Sequence, residues 1–150
     1  MAAQLERGRR IGIDFGDVRI GVAVCDLEAI LVSPLKTLAN DQTRMSELQS
    51  IFAEIEPIYL AIGNPIHLSG DESKKSRSVQ EFVTSLRQIY QGKIFLIDER
   101  FSTKNSIAQL HELGKGVKEG KSIIDQMAAV QILNQAILLE SSPSGLGSSL

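Results

Sequence analysis

Apolar and polar positions alternate from Arg10 to Phe15 (RIGIDF), the period of two that marks a strand. Gly16 and Asp17 read as a turn, Arg19 to Cys25 (RIGVAVC) as a second strand and Ile30 to Leu38 as a third. Connections this short favour antiparallel hairpins. Over residues 41 to 56 the period changes: Met45, Leu48, Ile51, Phe52 and Ile55 recur at helical spacing, with Asn40 or Asp41 as N-cap and Pro57 as the stop. Ile58 to Ile62 (IYLAI) is a wholly apolar run, as in a strand covered on both faces. Residues 63 to 73 form a Gly/Pro/Ser loop. A second amphipathic helix carries Val79, Phe82, Val83, Leu86 and Ile89 on one face, with Gly92 as its C-cap. Lys93 to Ile97 (KIFLI) is a further buried strand. A short helix over 103 to 112, a mobile basic loop over Gly114 to Lys121 and a last helix over 122 to 140 complete the body. The order βββ-α-β-α-β-α-α predicts an α/β fold: a mixed five-stranded sheet in which a three-strand antiparallel meander joins parallel strands through helical crossovers, with helices on both faces.

The 150 residues, 43% hydrophobic and 23% charged, suit one globular domain, expected over 1–140. The tail, 141–150 (SSPSGLGSSL), lacks the apolar surface needed to offset ordering entropy and is expected to be disordered. Cys25 is the single cysteine, so no intrachain disulfide can form, in keeping with a reducing cytosol. No apolar run reaches membrane-spanning length, and Met1 to Arg10 lacks the apolar stretch of a signal peptide; a cytoplasmic protein with no membrane association is expected. The net charge of −2 excludes a protein that coats nucleic acid through overall basicity. Any phosphate binding must use a local basic patch or cations held by carboxylates.

Carboxylates fall where the predicted elements can gather them. Asp14 lies inside the first strand between Ile13 and Phe15, Asp98 and Glu99 end the last strand, and Asp125 lies in the first turn of the final helix. In an open α/β sheet, ligand sites form at the carboxyl ends of the parallel strands. Each acid also has a plain structural reading. Asp14 fits an Asx-turn before Gly16, Asp98 and Glu99 fit a strand end paired with Arg100, and Ser122-x-x-Asp125 fits a capping box. Taken together, a cluster of carboxylates repels itself, and bound Mg²⁺ or Mn²⁺ would remove that cost. Two such ions about 3.5–4 Å apart can activate a water and stabilise the leaving oxygen of a phosphodiester. That chemistry requires no histidine; His67 and His111 read as surface residues.

Four stretches resemble one family. Asp14-Phe15-Gly16-x-x-Arg19-Ile20-Gly21-Val22-Ala23-Val24 is similar to the opening motif of the YqgF family, also called RuvX. Gly63-Asn64-Pro65 with Gly70 is similar to its GxP…G loop, Asp98-Glu99-Arg100-Phe101-Ser102-Thr103 to its DERxST motif, and Asp125-Gln126-Met127-Ala128-Ala129 with Ile132-Leu133 to its DxxAAxxIL helix. Asn64, His67-Leu68 and Phe101 depart from the family's usual residues; no acid is lost. The resemblance covers about residues 10 to 139. It implies a ribonuclease-H-like fold and a metal-dependent endonuclease that processes the 5′ end of pre-16S rRNA in ribosome biogenesis, with Holliday junction resolution as the alternative. Carried over by motif, Asp14, Glu99 and Asp125 are the expected catalytic acids, and Asp98 is the further metal-ligand candidate. Adjacent strand residues point to opposite faces, so at most one of Asp98 and Glu99 reaches the metals directly.

Arg19, Lys74, Lys75, Arg77, Arg100, Lys104 and Lys121 are the candidate contacts to structured nucleic acid, a basic rim around an acidic centre. Lys115 and Lys118 lie in the same loop as Lys121. The plain alternatives are solvated side chains and, for Arg19, a salt bridge to Asp17. No aromatic stacking platform is visible, which favours backbone recognition over single-strand binding. Two rival functions share the pattern. Asp14-Phe15-Gly16 before a hairpin also resembles the first phosphate loop of actin, Hsp70 and sugar-kinase ATPases, which use two such domains where this chain has room for one. A non-catalytic module docking on ribosomal RNA or protein is the other. The sequence leaves open RNA against DNA, the metal, and a monomer against a homodimer.

Overall fold

The computed structural model describes residues 5–64, 74–98, 117–143, 145–147 and 149–150. The predicted helix over 103 to 112, together with Glu99, Arg100, Lys104, His67 and His111, lies outside the described residues.

Five strands form one sheet: β1 (Ile11–Phe15), β2 (Arg19–Cys25), β3 (Val32–Ala39), β4 (Tyr59–Asn64) and β5 (Lys93–Asp98). Their spatial order is β3-β2-β1-β4-β5. β1 pairs antiparallel with β2, and β2 with β3, whereas β1–β4 and β4–β5 are parallel. This is the predicted meander plus crossovers. The helices among the described residues are α1 (Arg44–Ile55), α2 (Lys74–Leu86) and α3 (Val117–Glu140).

The parity of β1 divides the core. Ile11, Ile13 and Phe15 pack with Leu48 and Phe52 of α1 and with Val79, Phe82 and Leu86 of α2. Phe15 stacks on Phe82, ring centroids 4.4 Å apart. On the other face Ala61, Phe95 and Ile97 meet Ile132, Leu133 and Ala136 of α3. Both faces of the central strands are therefore covered, which is why IGIDF and YLAIGN are buried almost throughout. No described helix is long and apolar enough to cross a membrane.

Several local expectations are corrected. The N-cap of α1 is Thr43, not Asn40 or Asp41, and it makes no side-chain cap bond. Asp41 instead accepts the Thr43 N–H at 2.9 Å, and Asn40 is drawn away to the β1–β2 turn. Helix α1 ends at Glu56, whose left-handed φ of 52° lets its N–H reach the Phe52 carbonyl just before Pro57. Helix α2 stops at Leu86, six residues short of Gly92, so Gly92 is no cap. Residues 117–121, expected in a loop, begin α3. In the described part of the tail, several residues contact the domain. The Leu150 N–H donates to the Ile94 carbonyl at 2.8 Å, the Ile94 N–H to Ser149 Oγ at 3.0 Å, and Leu146 packs on the α3-side core.

Candidate active site

Asp14 is the penultimate residue of β1 and is only 2% exposed. It lies in the ladder opposite Gly21 of β2, within the strand and not in the turn beyond it. The turn itself is closed by Gly16, whose N–H donates to the Arg19 carbonyl at 2.9 Å. Asn40 braces it, donating from Nδ2 to the Gly16 carbonyl at 2.7 Å while its own N–H reaches the Val18 carbonyl. With Ile13 and Phe15 committed to the α1/α2 core, alternation turns Asp14 to the α3 face.

Helix α3 comes down on that face at glycine. A Cβ on Gly21 would collide with the backbone carbonyl of Asp125, and one on Gly12 would lie 2.6 Å from the carbonyl oxygen of Ala129. Only bare backbone permits so close an approach. Asp14 and the Asp125 turn thus both abut Gly21, from the ladder and from above it. Two side chains hold the helix in this register. Arg19 Nε donates to Asp125 Oδ2 at 2.9 Å, and Gln126 Nε2 donates to Thr37 Oγ1 at 2.9 Å.

Two plain readings fall to this geometry. Because α3 starts at Val117, Asp125 lies two turns inside the helix, where the amides are already bonded within it and no capping box can form. Arg19 does pair with an aspartate, but with Asp125 and not Asp17. At the carboxyl end of β5, on the same edge, the register separates the acids by face. Asp98, the last residue of β5, lies beside Asn64 of β4. It shares parity with Ile94 and Leu96, which pack on the α1/α2 core, and so falls on the face away from Asp14. Among the described residues no three His, Cys, Asp or Glu side chains group so as to hold a metal ion. The structure therefore brings Asp14 and Asp125 to one place, separates Asp98 from them by parity, and leaves Glu99 outside its described residues. The oxygen-only donors of Asp14 and Asp125, one of them buried in the sheet, suit a hard divalent cation.

Of the expected basic rim, Arg19 borders the acids and Arg77 is exposed on α2. Lys74 opens α2 with Lys75 next to it, and Lys121 belongs to α3; their side chains lie outside the described residues. The sequence reading missed Asn40 and Gln126 as supports of the site. Gln126 adjoins Asp125 in the motif, and that adjacency is the one signal that pointed to it.

The family profile described as RuvX: Holliday junction resolvase matches residues 8–138. A protein of Streptomyces coelicolor named "Putative pre-16S rRNA nuclease" is 39% identical over 137 residues, covering 89% of this chain and 82% of the relative. A Streptomyces avermitilis protein of the same name is 39% identical over 136 residues, covering 89% of this chain and 87% of its own length. Among solved structures, Thermus thermophilus RuvC in complex with a Holliday junction substrate superposes with a TM-score of 0.61 at 12% identity, over 95% of this chain and 99% of that one. At that identity the likeness speaks for the fold alone, and the fold is ribonuclease-H-like. The sequence pattern matched from residue 8 to 138 makes this chain a member of the RuvX family.

Proposed function

We propose that the chain is a divalent-metal-dependent endonuclease that acts in the cytoplasm on the 5′ end of pre-16S rRNA. One observation supports the reading most: the buried Asp14 and the α3 residue Asp125 abut the same glycine at the carboxyl edge of the sheet. Two carboxylates at one place offer the oxygen donors that a hard divalent cation takes. In this reading Asp14, Asp125 and Glu99 hold Mg²⁺ or Mn²⁺. The parity of β5 favours Glu99 over Asp98 as the third acid, since Asp98 falls on the far face. When bound, such ions supply activation of the attacking water and stabilisation of the leaving oxygen. The chain's own part is to fix the carboxylates. The ladder orients Asp14, and the Gly21 contact with the Thr37–Gln126 bond sets the height of Asp125 above it. Arg19, Arg77 and the basic residues Lys74, Lys75, Arg100, Lys104 and Lys121 orient the phosphate backbone of structured RNA.

Resolution of a four-way DNA junction is the second reading, favoured by the description of the family profile itself. Incubating the purified protein with precursor 16S rRNA and with a four-way DNA junction, each with and without Mn²⁺, separates the two. Asp14→Asn is expected to abolish metal-dependent cleavage and leave the melting transition cooperative. Full cleavage by that variant would exclude the mechanism, and cleavage of the DNA junction alone would replace the RNA reading with the DNA one.

A further inference from the structure

The Arg19–Asp125 pair has a consequence for metal loading. Arg19 and Asp125 are the first residue of β2 and a mid-helix residue of α3, 106 positions apart in sequence, and they meet beside Gly21 at the same edge as Asp14. Asp125 is the more enclosed partner: its side chain is 17% exposed, against 35% for Arg19. The guanidinium thus approaches from the solvent side, with donors to spare beyond the Nε–H that it gives to Oδ2. It occupies one of the oxygens that an oxygen-ligated cation would use.

We propose that Arg19 is an exchangeable counter-ion of the acidic centre: it holds the Asp125 carboxylate until a divalent cation takes that carboxylate over, and the released guanidinium then receives a substrate phosphate. The inference rests on the metal-dependent reading above. Its physical basis is charge balance. A guanidinium and a divalent cation both satisfy the carboxylates, and they compete for the same oxygen. An arginine fork that loses a carboxylate is matched in shape and charge by a phosphodiester. The exchange links loading of the metal to an arginine made ready for the backbone, at a position from which the side chain already reaches solvent.

Titration of the full-length protein with Mn²⁺ alone, followed by calorimetry, tests this without reference to cleavage. Arg19→Gln removes the competitor, so it is expected to bind Mn²⁺ about three- to fivefold more tightly than the parent, the scale of a partly exposed ion pair. The rise in melting temperature on adding Mn²⁺ should be correspondingly larger. Arg19→Lys, which keeps the charge, should bind Mn²⁺ close to the parent value. In the parent protein the NMR resonance of the Arg19 Nε–H should shift on saturation with diamagnetic Mg²⁺, and this measurement stands even if a variant fails to fold. Equal or weaker Mn²⁺ binding by Arg19→Gln, or an Nε–H signal unmoved at saturating Mg²⁺, overturns the exchange while leaving the nuclease reading intact. If neither the parent nor the variants bind Mn²⁺ or Mg²⁺, the metal-dependent reading fails, and the exchange fails with it.

Discussion

Arg10 and Asp14 are the buried charged residues on β1 and its approach, 0% and 2% exposed, and the chain provides for them differently. Arg10 is enclosed by partners. Its Nε and Nη2 donate to the two carboxylate oxygens of Glu140 at 3.0 and 2.8 Å, and Nη1 donates to the Gly8 carbonyl at 2.5 Å. The Tyr59 hydroxyl donates to Glu140 Oε1 at 2.9 Å. Burial, with the nearby Glu140 carboxylate, holds that hydroxyl far above the usual tyrosine range, so it remains a donor at physiological pH. Glu140 ends α3, where the helix dipole disfavours a negative charge, and Arg10 offsets this. The candidate site lies at the other end of β1. Glu140→Ala should therefore cost about 3–5 kcal/mol, the penalty for stranding one buried charge. A urea midpoint that does not move would show Arg10 to be satisfied without its carboxylate.

At the scale of the element, α3 is a lid of small residues on a floor of glycine. Ala128, Ala129 and Ala136 are almost wholly buried, and the helix rests against Gly12 and Gly21. The motif residues that flank Asp125 are thus packing residues, and their smallness sets how near Asp125 comes to Asp14. Gly21→Ala should force the helix off the sheet, because the obstacle is a backbone carbonyl and not a pliable side-chain end. A loss of about 1–3 kcal/mol is expected from such overpacking. If the proposed site is correct, Mn²⁺-dependent cleavage should fall further than that loss of stability accounts for, as read from cleavage at a temperature where the variant is fully folded. A variant with parental stability and cleavage would show the approach to be unimportant.

At the scale of the molecule, the sheet formed by the described residues has two edges, β3 and β5, and the chain blunts both. β3 carries Pro34 and Lys36, which discourage pairing with another strand. β5 is partly covered by the tail, through Ser149, Leu150 and Leu146. Deleting residues 141–150 should therefore leave the domain folded, with its circular dichroism unchanged, but raise its concentration-dependent aggregation in light scattering. Unaltered scattering would mean that the tail contacts do not protect that edge.

The types of the described elements and the meander joined to parallel strands were legible in the sequence because each strand and helix is covered on a face whose period is written into its own residues: Ile11, Ile13 and Phe15 at a period of two, Leu48 and Phe52 at a helical one. Asp14 stood out for the same reason, as an acid inside an apolar strand. Ends and partners were not legible in this way. Asn40 looked like a cap and became a brace for a turn 24 residues away, Ser122-x-x-Asp125 looked like a helix start and proved to lie well inside the helix, and Arg19 found its carboxylate 106 positions along the chain. Local pattern reports the energetics of a residue with its near neighbours. Which distant group satisfies a hydrogen bond or a charge depends on how the packed layers are set against each other, and here Gly12 and Gly21 set that register.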